Sequence, residues 1–427
     1  MTTETQTPVL ETEVSETTVK TGDVLNPKPR RKARKKAAKR RQDENKITSG
    51  LAKIANFHSI CDQKMFERGT ETRLLTTGLI SGCSVFLVGA PGTGKSALCD
   101  ALCQFIDSGK VFRKLMTKHT EPSELFGPMS MASFKAEKFR RVTTGYLPEA
   151  RVAFLDEIWK ASSAVLNNLL QILNEGTFQN GDVEMDVPLQ LFIGASNEYP
   201  PLGSSSNLHA MYDRFLIRKE VQEVRSSRAI NHILFNDVEI HIEPKDRLTD
   251  EELSELRQAA QGLQWEKTAK DQMKQAILEC QKKSILPSGR RIRKATAACA
   301  AQALMAGKSS VTANDLGSLE HILWVDPEHQ VECANIVGDL CDPSEKQKVE
   351  IQKKLDSAVA HLESNFHSVA VDGVKTINIP ELCNFQNVCN DLASQARGNG
   401  LTDLADHISK THQEIHDRAM NEVGKGV

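Results

Sequence analysis

Apolar and polar positions in residues 47–222 follow two periods, which together predict an α/β domain. From Ile47 to Ile80, apolar side chains recur every three or four residues, which indicates helices with a break near Gly69. Further along, apolar runs of strand length alternate with helical segments, an arrangement typical of a parallel sheet. The five predicted strands are residues 84–88, 111–116, 152–157 and 189–197 and a short segment after Arg214.

The remaining residues, 223–427, have mainly helical spacing. We predict an all-α lid over residues 223–330 and a helical C-terminal region over residues 331–427. The lid helices are predicted at residues 250–261, 267–282, 289–305 and 313–323. The C-terminal region has apolar stripes at helical spacing, for example Ile351, Leu355 and Leu362, and no pattern in it predicts strands or a catalytic site.

Composition changes this picture mainly at the N-terminus. Residues 1–25 are rich in threonine and glutamate, and residues 28–41 are mostly lysine and arginine. Such segments bury too little apolar surface to fold alone, so residues 1–46 are predicted to be disordered. The basic block 28–41 could bind nucleic acid, an acidic partner, a membrane surface or an import receptor, or it could only increase solubility.

The cysteines and the length of the apolar runs bear on the compartment. The chain has 427 residues, a net charge of −2 and ten cysteines, with no C-x-x-C pair. No apolar run approaches the roughly 18 residues that a membrane-spanning helix needs. These features predict two or three domains in a reduced, cytoplasmic setting, without a membrane span.

The strongest chemical motif follows the first predicted strand and fits G-x-x-x-x-G-K-[ST] at every fixed position. Its residues are Gly89, Ala90, Pro91, Gly92, Thr93, Gly94, Lys95 and Ser96, and Ala97 follows in the predicted helix. The glycines let backbone N–H groups turn toward phosphates, Lys95 can reach the β- and γ-phosphates, and Ser96 can ligate Mg²⁺. A chance glycine-rich turn is the alternative, which the strand before the motif and the helix after it disfavour. The motif predicts a nucleoside triphosphate site.

Two other predicted strands end on polar residues. Residues 152–157 end with Asp156 and Glu157, and residues 189–197 end with Asn197. Asp156 could hold Mg²⁺, Glu157 could orient and deprotonate an attacking water, and Asn197 could contact that water or the γ-phosphate. The alternatives are an acidic cap for the next helix and a turn-forming asparagine. The position of these strands after the phosphate loop favours the catalytic interpretation.

Arginines outside the predicted nucleotide strands form a third group of candidates. Arg214 could stabilise charge on a neighbouring subunit's γ-phosphate, while Arg218 is a weaker candidate that could instead form a salt bridge at the end of a strand. Residues 288–295 begin a predicted helix with four cations, including Arg290 and Arg291. Cations at a helix N-terminus oppose the helix dipole, so we expect an anion there, either a phosphate or acidic side chains.

The order of phosphate loop, acidic strand end, polar strand end, arginine and helical lid resembles that of AAA+ ATPases. Several stretches are similar to the MoxR family in particular, and most similar to its RavA-like (regulatory ATPase variant A) members. They are residues 124–128, 145–150, 154–161, 195–198, 212–218, 288–295 and 323–324. The resemblance covers about residues 50–330.

This resemblance implies an AAA+ P-loop core with a parallel five-stranded sheet, a lid, and ATP and Mg²⁺ as cofactors. It makes Lys95 and Ser96 the Walker A contacts, Asp156 and Glu157 the Walker B pair, and Asn197 sensor 1. It also implies that Arg214 is the arginine finger and that Arg290, or next to it Arg291, is sensor 2. A finger acting on a neighbour implies a homo-oligomeric ring, usually a hexamer.

MoxR proteins as a family act on protein partners, so the resemblance implies a chaperone that remodels a client protein or helps a metal cofactor enter it. A protein with a von Willebrand factor A domain is the expected partner. The basic block 28–41 and the unusually standard loop 89–96 depart from RavA-like proteins, and the predicted helical C-terminal region lacks RavA's β-rich insertion.

Two other functions remain open at this point. A nucleic-acid motor or loader could use residues 28–41 as its grip, although the acidic Asp182, Glu184 and Asp186 of a predicted hairpin disfavour a phosphate-lined pore. A nucleotide-gated scaffold with little turnover is the other alternative, and the presence of Glu157 disfavours it.

Overall fold

The structure is a computed structural model that describes residues 29–107, 110–200, 206–236, 239–341, 343–369, 375–399 and 401–423. The strands in these residues are β1 (Val85–Val88), β2 (Val111–Leu115), β3 (Val152–Asp156), β4 (Thr177–Asn180), β5 (Val183–Asp186), β6 (Leu191–Ser196), β7 (Ile217–Glu220), β8 (Gln264–Trp265), β9 (Ser310–Val311), β10 (His367–Val369) and β11 (Lys375–Ile377).

The α-helices in the same residues are α1 (Pro29–Lys64), α2 (Gly69–Ser81), α3 (Lys95–Phe105), α4 (Pro122–Phe126), α5 (Met131–Lys135), α6 (Ser163–Glu175), α7 (Ser206–Arg214), α8 (Ser227–Phe235), α9 (Asp250–Gly262), α10 (Lys267–Lys282), α11 (Gly289–Met305), α12 (Gln330–Cys341), α13 (Pro343–Asn365), α14 (Ile379–Gly398) and α15 (Thr402–Val423). Short 3₁₀ helices cover Leu147–Glu149, Ile158–Lys160, Pro244–Asp246, Ala313–His321 and Pro327–His329.

A parallel sheet with the strand order β2-β3-β6-β1-β7 confirms the predicted α/β core of five strands. Every residue of β1 and β6 is buried, because crossover helices of a parallel sheet cover both of its faces. The carboxyl ends of all five strands lie at one edge. This edge brings together the loop after β1, the acidic end of β3 and the residue after β6.

Aromatic packing joins one face of the sheet to the turn between α7 and β7. Phe86 of β1 lies with its ring centroid 5.1 Å from that of Trp159 and 5.4 Å from that of Phe215. All three rings are buried. The turn that carries Arg214 therefore rests on the same core as the phosphate loop.

The lid packs as one unit through α12. Cys333 and Val337 of α12 belong to the same cluster of buried residues as α10, α11 and the 3₁₀ helix Ala313–His321. A separate apolar cluster begins at Ile351. We therefore place the end of the lid after Cys341, whereas the helical spacing alone suggests residue 330.

The C-terminal region is helical, as expected, with α13, α14 and α15 packed around one apolar cluster. It also contains a short antiparallel pair, β10 with β11, which contradicts the expectation of no strands. Each strand has three residues, too few to show an alternating pattern in the sequence.

The N-terminal segment is the other departure. Residues 1–28 of the predicted disordered segment lie outside the described residues, but residues 29–46 are helical in α1. The prediction was wrong there because it weighed charge over helix propensity: residues 30–49 contain many alanines, lysines and arginines and neither glycine nor proline. The chain divides into two units, residues 1–45 and 46–427. No helix in the described ranges is both long and apolar enough to cross a membrane.

Candidate active site

The loop after β1 has the backbone shape that a phosphate-binding loop requires. Gly94 has a φ of 86°, in the left-handed region that favours glycine, and it directly precedes α3. A Cβ atom added at Gly89 would lie only 2.4 Å from the carbonyl oxygen of Val221. Glycine at both positions therefore lets the loop curve tightly against the sheet and point its N–H groups, with the N-terminus of α3, toward one cavity.

Lys95, the first residue of α3, reaches back across this loop. Its ammonium group donates to the carbonyl oxygens of Gly89 at 2.7 Å and Ala90 at 3.0 Å, and to Asn197 Oδ1 at 3.0 Å. Burial lowers the pKa of Lys95, and the nearby carboxylates of Asp156 and Glu157 act in the opposite direction. The structure thus brings the predicted lysine of the loop to the predicted asparagine at the end of β6.

Ser96 and Asp156 form the second contact across the cavity. The Ser96 hydroxyl donates to Asp156 Oδ2 at 3.1 Å, although 60 residues separate them in the chain. A hydroxyl oxygen beside a carboxylate is a donor set that Mg²⁺ prefers. The two residues that were predicted to hold the metal ion therefore meet in the fold.

Glu157 has an unusual backbone for its residue type. Its φ is 53°, a left-handed conformation that costs about 1–3 kcal/mol for residues other than glycine and often occurs at functional sites. Its buried carboxylate accepts a hydrogen bond from Asn197 Nδ2 and lies 3.3 Å from the ammonium group of Lys160. Two side chains thus hold the carboxylate at the cavity.

The cavity has a volume of about 380 Å³, within the range of small-molecule sites. Its walls are formed by Pro91, Gly92, Thr93, Gly94, Lys95, Ser96, Ala97, Leu115, Asp156, Glu157 and Asn197. Backbone N–H groups, one lysine and a helix N-terminus suit a chain of phosphates, and the hydroxyl–carboxylate pair suits Mg²⁺. The residues present therefore fit a nucleoside triphosphate with its metal ion.

The four candidate arginines are not among the described residues that line this cavity. Arg214, at the end of α7, donates to Asn174 Oδ1, and Arg290, in the first turn of α11, donates to the same oxygen at 2.7 Å. Burial lowers the pKa of Arg214, and the positive charge of Arg290 lowers it further. Two cations thus lie side by side at the C-terminal end of α6, with the Asp213 carboxylate 3.8 Å from Arg214. A second anion would relieve the remaining repulsion.

Arg218 and Arg291 have a different environment, since each is only 1% exposed. Arg291 donates to backbone carbonyl oxygens of Phe215, Leu216 and Ile322, so its guanidinium is enclosed between the core and the lid. Burial lowers the pKa of Arg218 to about 10. The structure thus contradicts the expectation that Arg291 could contact a nucleotide. Arg218 was expected to form a salt bridge at the end of a strand, but among the described residues its side chain donates to backbone carbonyl groups instead.

Comparisons with known proteins agree with this arrangement. A family model for the MoxR domain in the MoxR-vWA-beta-propeller ternary systems matches residues 52–261, and a model for an AAA lid domain matches residues 269–337. The uncharacterized protein MJ0812 of Methanocaldococcus jannaschii is 37% identical over 263 residues, which are 61% of this chain and 69% of that protein. The chain belongs to the MoxR family of AAA+ ATPases.

A second relative of this MoxR chain extends further. The uncharacterized protein MJ0079 of the same organism is 32% identical over 321 residues, 73% of this chain and 82% of that protein. The crystal structure of a candidate ATPase from Cytophaga hutchinsonii has a TM-score of 0.56 and 17% identity, and the match covers 71% of this chain and 97% of that one. This likeness supports the AAA+ fold alone, and it confirms the predicted fold class.

Three residues of this MoxR chain escaped the sequence analysis. Buried Arg68, in the turn between α1 and α2, donates to the Thr93 carbonyl at 3.0 Å and to the Gln222 carbonyl at 2.7 Å, and so supports the phosphate loop. Lys160 pairs with the Glu157 carboxylate, and Asn174 joins two arginines. Lys160 follows Glu157 by one helical turn, a spacing that could have pointed to it, but no local pattern marks the other two.

Proposed function

We propose that this protein hydrolyses ATP as a ring-forming MoxR ATPase and uses the energy to remodel a protein partner. The observation that carries the proposal is the meeting of Lys95, Ser96, Asp156, Glu157 and Asn197 around one cavity. These side chains come from two strand ends, those of β3 and β6, and from the N-terminus of helix α3. Together they offer the phosphate contacts, the metal ligands and the base that phosphoryl transfer to water requires.

Each side chain has one role in the proposed reaction. Lys95 and the N–H groups of the loop bind the β- and γ-phosphates. Ser96 and Asp156 would hold Mg²⁺, which supplies charge neutralisation for the phosphates when bound. Glu157 accepts the proton of the attacking water, and Asn197 keeps its carboxylate aimed at that water.

Arginine placement supports a ring, which we expect to be a hexamer. A positive charge on the γ-phosphate usually completes such a site and accelerates the reaction. Arg214 and Arg290 lie together at Asn174, outside their own chain's cavity. In the proposed ring, both arginines face the cavity of the neighbouring subunit, so Arg290 acts beside the finger.

The surface around hairpin β4–β5 favours a protein rather than a nucleic acid as the partner. The rings of Phe134 and Phe139 pack with centroids 5.9 Å apart and remain 55% and 66% exposed. Arg140 donates to Asp182, with one of the two bonds at 2.9 Å, and so joins this loop to the acidic hairpin. Exposed aromatic rings suit apolar side chains of a client, whereas the carboxylates of Glu184 and Asp186 on the same hairpin disfavour a phosphate backbone.

The partner proteins remain a proposal that rests on resemblance. The matching family model describes MoxR domains that work in ternary systems with vWA and beta-propeller proteins. We propose a von Willebrand factor A domain protein as the partner, with metal-cofactor insertion or complex assembly as the task. The RavA-like subtype is proposed from the stretches given above.

Steady-state ATP hydrolysis of the wild-type protein and of Glu157→Gln tests the proposal, with native mass spectrometry in the presence and absence of ATP. We expect turnover with Mg²⁺ in the wild type, a loss of about 10²-fold or more in the variant, and a closed ring in both with ATP. Loss of turnover together with retained ring formation would assign Glu157 to the chemistry.

Two results would overturn the proposal. Equal turnover in both proteins, or none in either, would favour a nucleotide-gated scaffold. Turnover that appears only with added DNA or RNA would instead favour a nucleic-acid motor that uses the basic residues 28–41.

A further inference from the structure

We propose that the first turn of lid helix α11 positions Arg214, so that the orientation of the lid in one subunit sets the activity of its neighbour's site. Ser288 and Arg291 are the positioning residues. This inference rests on the proposed ring, in which Arg214 acts on the adjacent subunit.

Arg291 holds the chain on the C-terminal side of Arg214. Its Nη2 atom donates to the Phe215 carbonyl at 2.7 Å, and its Nη1 atom donates to the Leu216 carbonyl at 2.6 Å. Nη1 also donates to the Ile322 carbonyl of the lid at 3.1 Å. Because the planar guanidinium offers several donors in a rigid fork, it fixes the distance and angle of the two residues after the finger relative to the lid.

Ser288 holds the chain on the N-terminal side of Arg214. Its hydroxyl lies 3.1 Å and 3.3 Å from the two carboxylate oxygens of Asp213. The same hydroxyl accepts the backbone N–H of Arg291 at 3.3 Å and so caps α11. The N-terminus of α11 therefore bonds to Asp213, immediately before the finger, and to Phe215, immediately after it.

Arg218 strengthens this connection from the core side. It donates to the carbonyl oxygens of Tyr212 at 2.8 Å and Phe215 at 3.2 Å, and to those of Trp324 and Val325 in the lid at 3.1 Å and 3.0 Å. Its guanidinium also stacks 3.6 Å from the centre of the Tyr212 ring. Since these bonds all go to backbone carbonyls, they fix the main chain of the finger segment relative to that of the lid, whatever the neighbouring side chains are.

The finger itself is partly exposed, whereas Arg291 behind it is buried. The Arg214 side chain donates to the Ala210 carbonyl at 3.3 Å, lies 3.8 Å from the Asp213 carboxylate, and donates to Asn174, which also accepts from Arg290 of α11.

The flanking backbone is also held to the core, because Phe215 is buried against Phe86 and Arg218 of β7 donates to its carbonyl. A rotation of the lid would therefore strain the bonds of Ser288 and Arg291 to this backbone and would move Arg290, one of the two donors at Asn174. The position of the finger relative to the neighbour's cavity then changes with the lid.

Mixed rings test this idea, because a misplaced finger impairs the neighbour's site and leaves its own subunit's cavity intact. Arg291→Met subunits keep an intact cavity, and Glu157→Gln subunits keep an intact finger. We expect each variant alone to lose at least about tenfold in ATP turnover, and a one-to-one mixture to recover several-fold over either parent. The recovered activity comes from Arg291→Met cavities served by Glu157→Gln fingers.

Two controls define the readout. Arg214→Ala mixed with Glu157→Gln must recover in the same way, because that variant removes the finger directly. Arg257→Met is the matched control: Arg257 of α9 also donates to backbone carbonyls, those of Leu79 and Gln190, but lies outside the finger segment. We expect any loss in Arg257→Met to show no recovery on mixing.

Recovery in the Arg291→Met mixture but not in the Arg257→Met mixture supports the positioning role. Recovery with Arg214→Ala and none with Arg291→Met overturns it and leaves the proposed ring intact. No recovery with Arg214→Ala overturns the shared site, and the positioning role with it. If Arg291→Met does not assemble, Ser288→Ala and Arg291→Lys replace it, with recovery again in support and its absence against.

Discussion

The strand-end cavity and the arginine junction between core and lid differ in how the fold places their candidate functional side chains. In the cavity, Lys95, Asp156 and Asn197 come from separate elements and meet because the carboxyl ends of parallel strands share one edge. At the junction, Arg214, Arg218, Arg290 and Arg291 come from two short segments, and similar side chains adopt different environments. Burial, rather than residue type, separates Arg218 and Arg291, which are each 1% exposed and bond to backbone carbonyls across the core–lid boundary, from Arg214 and Arg290, which solvent reaches.

This difference has a consequence for function. In the proposed function, one chain supplies all the phosphate and metal contacts of the cavity, whereas Arg214 and Arg290 of the junction do not line the cavity of their own chain. A single subunit should therefore bind nucleotide well and hydrolyse it poorly. The comparison predicts that binding depends on the cavity and that turnover depends on both regions.

The largest effect expected from this comparison is that of Arg214→Ala. We expect it to lower ATP turnover by about 10³-fold, the usual contribution of an arginine finger, while the Kd for ATP changes little. Steady-state kinetics together with binding of a fluorescent nucleotide will measure both quantities. Lys95→Ala is the contrasting variant and should lose binding. If Arg214→Ala lost binding to the same extent, the two regions would form one site.

Asn197→Ala should have the next largest effect. Its amide contacts both Lys95 and Glu157, so its removal frees the carboxylate that orients the water. We expect a loss of about 10²-fold in kcat with a nearly unchanged KM. Asn167→Ala, at an exposed position of α6, is the control and should retain wild-type kinetics. A rise in KM without a fall in kcat would place Asn197 in ground-state binding instead.

Substitutions at the two adjacent arginines of α11 should have different effects on the stability of the protein. Arg291→Met removes the donor of the Leu216 and Ile322 carbonyl groups and one of the two donors of the Phe215 carbonyl, which should lower the free energy of unfolding by about 3 kcal/mol. Arg290 is exposed, so Arg290→Ala should change the free energy of unfolding by less than about 0.5 kcal/mol. Chemical denaturation will compare the pair. Equal losses of stability would contradict the assignment of buried and exposed roles.

The smallest effect should come from Asn174→Ala. One oxygen accepts hydrogen bonds from Arg214 and Arg290, and losing about 1 kcal/mol of positioning corresponds to about a fivefold fall in turnover. Asn174→Asp keeps an acceptor for both guanidinium groups and should retain more activity than the alanine variant. Equal rates in the two variants would show that the bond does not position either arginine.

Local patterns were sufficient for the cavity. The loop 89–96 has a backbone that few sequences other than its own motif adopt, and a strand of apolar residues that ends in Asp156 and Glu157 can only present them at the sheet edge. Parallel order then follows from the alternation of strands and helices. The residues that line the cavity, except Leu115, could therefore be named before the fold was known.

Local patterns were insufficient for the junction. Arg290 and Arg291 are neighbours in a helix, and one step along a helix turns the side chain by about 100°. One of the two side chains can therefore face solvent while the other is buried in the interface between core and lid. No periodicity shows which face meets the α7–β7 turn. Arg68 and Asn174 were missed for the same reason, because their partners lie in distant segments.

The sequence by itself determined the α/β class of the core, the helices that follow it and the chemical groups at the strand ends, because these depend on periodicity and on a motif whose residues are adjacent. The AAA+ family came from the resemblance of several stretches to MoxR proteins. Only the tertiary structure decided which arginines are buried, that α12 completes the lid, and that the first turn of α11 holds both sides of Arg214. Each of these depends on which surfaces meet across the core–lid boundary. That meeting is set by the packing of residues more than 70 positions apart, such as Phe215 and Arg291, whose bond spans 76 positions.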